Sequence, residues 1–248
     1  MKKVLLSLLP LLLSSTAFAV DDANPALEQF NPAITFYASF DGHGEADLSV
    51  GDGTPYGNAQ NLQFAKGIYG QALAARNNTL IYHAKDNIDL SKSGSLLMWI
   101  SPADDWTDAD APIQLGFASI HNQGETLMLA RQGGKVNRQA LMAIFAPEVM
   151  NLQTRALTKN SNTTSWAKGE WHLLAMNWSK GSVELSVDGN SFIKKISASP
   201  PTPNEDTRAD LAIAGNSTEK SPYLMDELMI LNRPLTNDEV NLLFTASK

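Results

Sequence analysis

From Ile34 onward the sequence is a succession of short apolar runs cut by turn residues, and that rhythm limits the fold more than any other feature. ITFYASF, LIYHA, SLLMWISP, IQLGFASI, TLMLARQ, ALMAIFA, WHLLAMNWS, SVELSVDGN, SFIKKIS, LAIAG and MDELMILN all have strand length. Each is rich in β-branched, aromatic or leucine side chains, and helical periodicity is scarce, which predicts an all-β, antiparallel two-sheet β-sandwich. In SVELSVDGN, Val183, Leu185 and Val187 fall on one face and Glu184, Ser186 and Asp188 on the other. Asp188-Gly189 then supplies a tight turn, and SFIKKIS returns as the second strand of a hairpin. The prolines of SASPPTPNEDTRAD place that stretch in a surface loop, since they cannot donate to a central ladder. A short C-terminal helix is predicted from the Thr236-x-x-Glu239 capping box and the stripe Val240, Leu243, Phe244.

The amino terminus has the three parts of a secretory signal. Lys2 and Lys3 precede the apolar VLLSLLPLLL, and Ala17-Phe18-Ala19 offers a cleavage box. The apolar stretch is too short to span a bilayer, and no other segment is a spanning candidate. Expected are a signal peptide over 1–19, a flexible leader over 20–33 with two Asn-Pro pairs, and a single domain over 34–248. Loss of Lys2 and Lys3 takes the net charge from −7 to −9. An acidic chain is a poor match for nucleic acid or an anionic membrane, so neutral glycans or divalent cations are the more natural partners. The absence of cysteine means a fold held without disulfides in an oxidising compartment, periplasmic or extracellular.

FYASFDG, GIYGQAL, SGSLLMWISP, GEWHLLAMNWSKGSVELSVDGN, LAIAG and YLMDELMILNRPLTNDEVNLLF occur in an order that resembles the laminin-G-like, concanavalin-A-like lectin/glucanase jelly roll in its bacterial, pentraxin-related form. The resemblance runs from about Phe36 to Phe244. It implies a jelly roll, an architecture shared by lectins, adhesion modules, glycosidases and lyases, so it speaks for fold rather than function.

In a jelly roll the first and last strands commonly lie side by side. The stretch FDGHGEAD follows the first apolar run, and Asp226 opens the last. Asp41 and Asp226 would then approach one another, which is repulsive without a cation, and calcium accepts carboxylates mixed with backbone carbonyls. The resemblance implies the same structural calcium. Asp41 and Asp226 are therefore the predicted metal ligands, with Glu45, Asp47 and Glu227 as further oxygens. The alternative is that both aspartates cap turns by accepting from nearby amides. An EF-hand is excluded, because Ala46 stands where that loop needs glycine.

Catalytic motifs are sparse. Glu45-Ala46-Asp47-Leu48-Ser49-Val50 matches the Glu-x-Asp-x-x-Glu strand of related glycosidases only in part, with valine in place of the third carboxylate. His43, His83, His121 and His172 show no metal-binding spacing, and there is no Gly-x-Ser-x-Gly elbow. In LIYHAK, the ordinary reading is a strand with Leu80 and Tyr82 facing the core. No catalytic residue is assigned.

Glycan binding in water relies on flat aromatics against sugar C–H faces. Trp99, Trp171 and Trp178 occur within strands and are assigned to packing. Trp106 and Trp166 lie in polar loops, where each either binds a ligand or covers a sandwich end as a lid. Tyr56, in GDGTPYGN, is a ligand-binding residue of the same kind. The expectation is an exported, non-catalytic recognition module that binds carbohydrate and holds a structural calcium. The alternatives are a glycosidase or polysaccharide lyase with dispersed catalytic residues, or an envelope adhesion protein that recognises a protein partner.

Overall fold

A computed structural model gives the arrangement of residues 24, 26–57, 59–76, 79–106, 114–122, 125–132, 140–147, 154–157, 166–196, 210–215 and 222–247. The elements in chain order are α1 (Ala26–Phe30), β1 (Ile34–Ala38), β2 (Leu48–Ser49), β3 (Phe64–Lys66), β4 (Gln71–Ala75), β5 (Leu80–His83), β6 (Gly94–Pro102), β7 (Gln114–Asn122) and β8 (Glu125–Gln132). They continue with β9 (Ala140–Pro147), β10 (Thr154–Leu157), β11 (His172–Ser179), β12 (Ser182–Val187), β13 (Ile193–Ile196), β14 (Asp210–Ile213), β15 (Tyr223–Leu231) and α2 (Asn237–Ala246). One sheet runs β13-β12-β11-β6-β15-β1-β2, with β4 and β3 joined to β15; the other runs β10-β9-β8-β7-β14-β5. All pairings are antiparallel, the expected two-sheet sandwich. The predicted loop at 197–209 and the signal sequence lie outside the described residues.

The main core fills the space between the sheets. Phe36, Leu73, Tyr82, Met98, Phe117, Leu129, Phe145, Met176, Leu211 and Met225 are among its buried members. Strands β6 and β15 are apolar along nearly their whole length because the second face is covered too. On that outer face, Tyr37, Leu97, Trp99, Leu173 and Met229 pack under Ala26 and Phe30 of α1 and Val240 and Leu243 of α2. The Thr236–Glu239 capping box holds the start of α2, with Glu239 N–H donating to Thr236 Oγ1 at 3.2 Å. Both Asp188 and Gly189 have positive φ, 54° and 69°, and Asn190 N–H donates to Val187 O at 3.1 Å, closing the tight turn that leads from β12 towards β13.

The boundary placed at Ile34 needs correction. Residues described within the expected leader are part of the fold: Phe30 and Ala26 are buried, and the Asn24 side chain bonds both Ala26 N–H and Glu227. The Asn-Pro pair that reads as a loop signal places Asn24 where its side chain caps α1, and a single helical turn is too short to announce itself by periodicity. No helix among the described residues is long and apolar enough to cross a membrane.

Candidate functional site

Two places gather polar side chains that packing alone does not require. The first is a junction of strands. Strand β15 pairs with β4 through Tyr223–Met225 and with β1 through Leu228–Leu231, so its neighbour changes at Asp226 and Glu227. A bulge accommodates the change, and Glu227 takes φ 56°. The turn Gly67-Ile68-Tyr69-Gly70 between β3 and β4 lies against this bulge. Asp226 Oδ2 accepts from Ile68 N–H at 2.8 Å and Tyr69 N–H at 3.4 Å, while Asp41 Oδ1 accepts from Gln71 N–H at 2.6 Å. Glycine is needed at both ends of the turn: a Cβ on Gly67 would stand 2.3 Å from Asp226 Oδ2, and one on Gly70 2.1 Å from Asp41 Oδ1. The two aspartates, 185 residues apart by their numbers, therefore grip one turn, as the turn-capping alternative requires.

The bonds leave charge uncompensated. Asp226 is fully buried, and its Oδ1 has no hydrogen-bond partner. Burial, then the neighbouring Glu227 charge, push the Asp226 carboxyl up to about 8, against the Ile68 and Tyr69 amides; Asp41 adds a smaller push. Glu227, 2% exposed, accepts from Tyr37 Oη at 2.8 Å and from Asn24. Burial raises it to about 7 in spite of those bonds. Asp47 accepts from Ser39 N–H at 2.7 Å and faces His43 Nε2 at 3.5 Å, and Glu45 is exposed. Among the described residues no group of three or more His, Cys, Asp or Glu is placed to hold a metal ion. What fits a cation is the bare, buried Asp226 oxygen beside a second carboxylate, with other oxygens left to come from the backbone.

The second place is on the outward face of the six-stranded sheet. Leu80 and Tyr82 of β5 point into the core, so Ile81 and His83 face out; on β14, Leu211 and Ile213 point in, so Asp210 and Ala212 face out. Tyr56 bridges to Ile81, its N–H donating to Ile81 O at 2.8 Å, and its ring stacks on His83 with centroids 4.6 Å apart. The Asp210 carboxylate lies beside the Tyr56 phenol, and His83 Nδ1 is 3.5 Å from the same carboxylate. Burial and that carboxylate push the Tyr56 phenol up to about 12. Sequence reasoning missed Asn87, which holds this loop. Buried at 1% exposure, it accepts from Gly51 N–H at 2.8 Å and donates to Asp52 O at 2.8 Å and His83 O at 3.1 Å. An aromatic that remains 37% exposed is thus held rigidly, a low-entropy surface for a ligand.

Trp106 and Trp166 are not at the surface, which corrects the expectation that their loops display them. Each is 5% exposed. Their rings stack with centroids 5.4 Å apart, Trp106 also packs on Phe117 and Tyr223, and Trp166 lies 3.7 Å from the His172 ring. The Arg131 guanidinium sits 4.5 Å from the Trp106 ring centroid. Trp106 N–H donates to Trp166 O at 3.0 Å, so the two polar loops meet and bury what each would show alone. Trp99 and Trp178 are core residues, and Trp171 is partly buried against the outer cluster.

The laminin G family model described as the concanavalin A-like lectin/glucanases superfamily matches residues 75–241. The chain belongs to this superfamily. Among solved structures, the botulinum neurotoxin serotype D binding domain is similar at TM-score 0.67 and 13% identity, over 88% of this chain and 53% of that one. The serotype D ligand-binding domain in complex with N-acetylneuraminic acid matches at TM-score 0.64 and 13% identity, over 89% and 52%. Domain 4 of AbnA, a GH43 extracellular arabinanase from Geobacillus stearothermophilus, in complex with arabinotriose, matches at TM-score 0.57 and 20% identity, over 85% of this chain and 98% of that one. The chain spans about half the length of the neurotoxin domains. At these identities the likeness is one of fold. No curated protein sequence matches the chain.

Proposed function

We propose that this superfamily member is an exported, non-catalytic carbohydrate-binding module that carries a structural calcium. The observation that carries binding is the exposed Tyr56 ring, stacked on His83, beside the Asp210 carboxylate, in a loop held by Asn87. A sugar ring lays its C–H face on such an aromatic while hydroxyls donate to the carboxylate beside it. The sugar-bound structures with the same fold, one with N-acetylneuraminic acid and one with arabinotriose, support the class of ligand. The test is retention on a panel of immobilised polysaccharides, read together with the release of reducing ends or unsaturated uronate. Retention by the wild type, its loss in Tyr56→Ala with unchanged circular dichroism, and no bond cleavage are expected. Cleavage of any panel member would replace this reading with an enzymatic one.

Calcium is assigned to Asp41 and Asp226, supported by the bare Asp226 oxygen. The ion would add positive charge between strands that otherwise bring like charges together. Titrating calcium into chelator-treated protein is expected to raise the melting temperature; at about a hundred times the dissociation constant, the gain is roughly 2.7 kcal/mol. Asp41→Ala removes most of that gain. An equal rise in the variant would exclude Asp41 as a ligand.

A further inference from the structure

Charge around the Tyr56 surface narrows the ligand further. Resting on the reading that Tyr56 carries glycan binding, we infer that the site takes uncharged, hydroxyl-rich polysaccharide and turns away chains that bear carboxylate sugars. Asp210 stands beside the stacked pair, with its side chain 46% exposed and therefore open to whatever lies on Tyr56. A second carboxylate, Asp52, belongs to the same loop as Tyr56 and interacts with His83; its Oδ1 accepts from Thr54 N–H at 2.8 Å, which favours the ionised form. Both groups accept hydrogen bonds and cannot donate. Neutral sugar hydroxyls satisfy them, whereas a ligand carboxylate brings a third like charge and no proton to share.

The loop cannot relax away from that conflict. Asn87 donates to the backbone carbonyls of Asp52 and His83, so the loop backbone and the strand are held together at this point. The net charge of −9 after loss of Lys2 and Lys3 adds repulsion of the same sign at longer range.

A matched pair of ligands isolates charge from shape: polygalacturonate and its fully methyl-esterified form, run beside arabinan, xylan, mannan and a sialylated glycan. On this inference, the ligands retained in a Tyr56-dependent way are neutral, and carboxylate-bearing chains bind at least about tenfold more weakly at low salt. Salt narrows that gap, because it screens exposed charges. Asp210→Asn keeps an acceptor for the phenol and narrows the gap as well. Tyr56-dependent binding of polygalacturonate or the sialylated glycan at or above the neutral chains overturns the inference and leaves glycan binding in place. An Asp210→Asn variant with the wild-type gap overturns it too. Retention of nothing on the panel, or retention that survives Tyr56→Ala, overturns the binding reading itself and this inference with it.

Discussion

Trp106→Ala is expected to lower the free energy of unfolding by about 3–5 kcal/mol, the usual cost of emptying a large aromatic from a core. For a domain of this length that is a fall in melting temperature of roughly 6–20 °C. The ring is 5% exposed and touches Trp166, Phe117 and Tyr223 while carrying the Arg131 guanidinium on its face. Its loss leaves a cavity in the core and removes the ring against which the buried Arg131 guanidinium lies. Urea unfolding gives the measurement: the midpoint drops while the slope stays near the wild-type value, as for a change in native packing. A double-mutant cycle with Trp166→Ala is expected to show coupling of about 0.5–1.5 kcal/mol, the range for stacked aromatic pairs. A variant as stable as the wild type would return Trp106 to the surface role that its polar loop suggests.

That loop shows where sequence and structure part. Strand rhythm was readable because one buried face imposes a period of two, and SVELSVDGN carries both the alternation and the residues that its turn needs. The capping box at Thr236 was readable because both partners are three residues apart. The approach of Asp41 and Asp226 followed from the pairing of the first and last strands. Asp226 nonetheless lies inside β15, where its neighbour changes, and does not open the strand as the sequence suggests. Trp106 and Trp166 gave no such sign: polar neighbours describe a loop, and only closure of the sandwich decides whether two loops meet. Asn87 is similar. Its bond to Gly51 spans 36 residues, a separation that no local pattern announces. Strands β2 and β3 are only two and three residues long, below the length at which alternation can register. The helix before β1 was hidden for the same reason.

Chelator-treated protein is expected to lose stability as pH rises from 5 to 9, the reverse of the usual behaviour of carboxylates held in ion pairs. Asp226 and Glu227, raised by burial to about 8 and about 7, bind protons more tightly in the fold than in the unfolded chain. Protonation therefore stabilises the native state. That contribution is complete below about pH 4, the range of an unperturbed carboxyl, and is lost as pH climbs through 7 and then 8. At about 1.4 kcal/mol per unit of displacement, the two groups together are worth several kcal/mol across the range. Asp226→Asn removes the larger titration while leaving an oxygen for the Ile68 amide, so its profile is flatter and it is more stable than the wild type at pH 9. Calcium is expected to reverse that order: a divalent cation on the ionised carboxyls would offset the charge that the proton otherwise removes, and the wild type would then overtake the variant. Melting curves at pH 5, 7 and 9, each with chelator and with calcium, separate the two ideas. A flat chelator profile means that water or another partner reaches Asp226 Oδ1 and the buried charge is already compensated. A falling profile that calcium does not lift keeps the buried pair and rejects the cation.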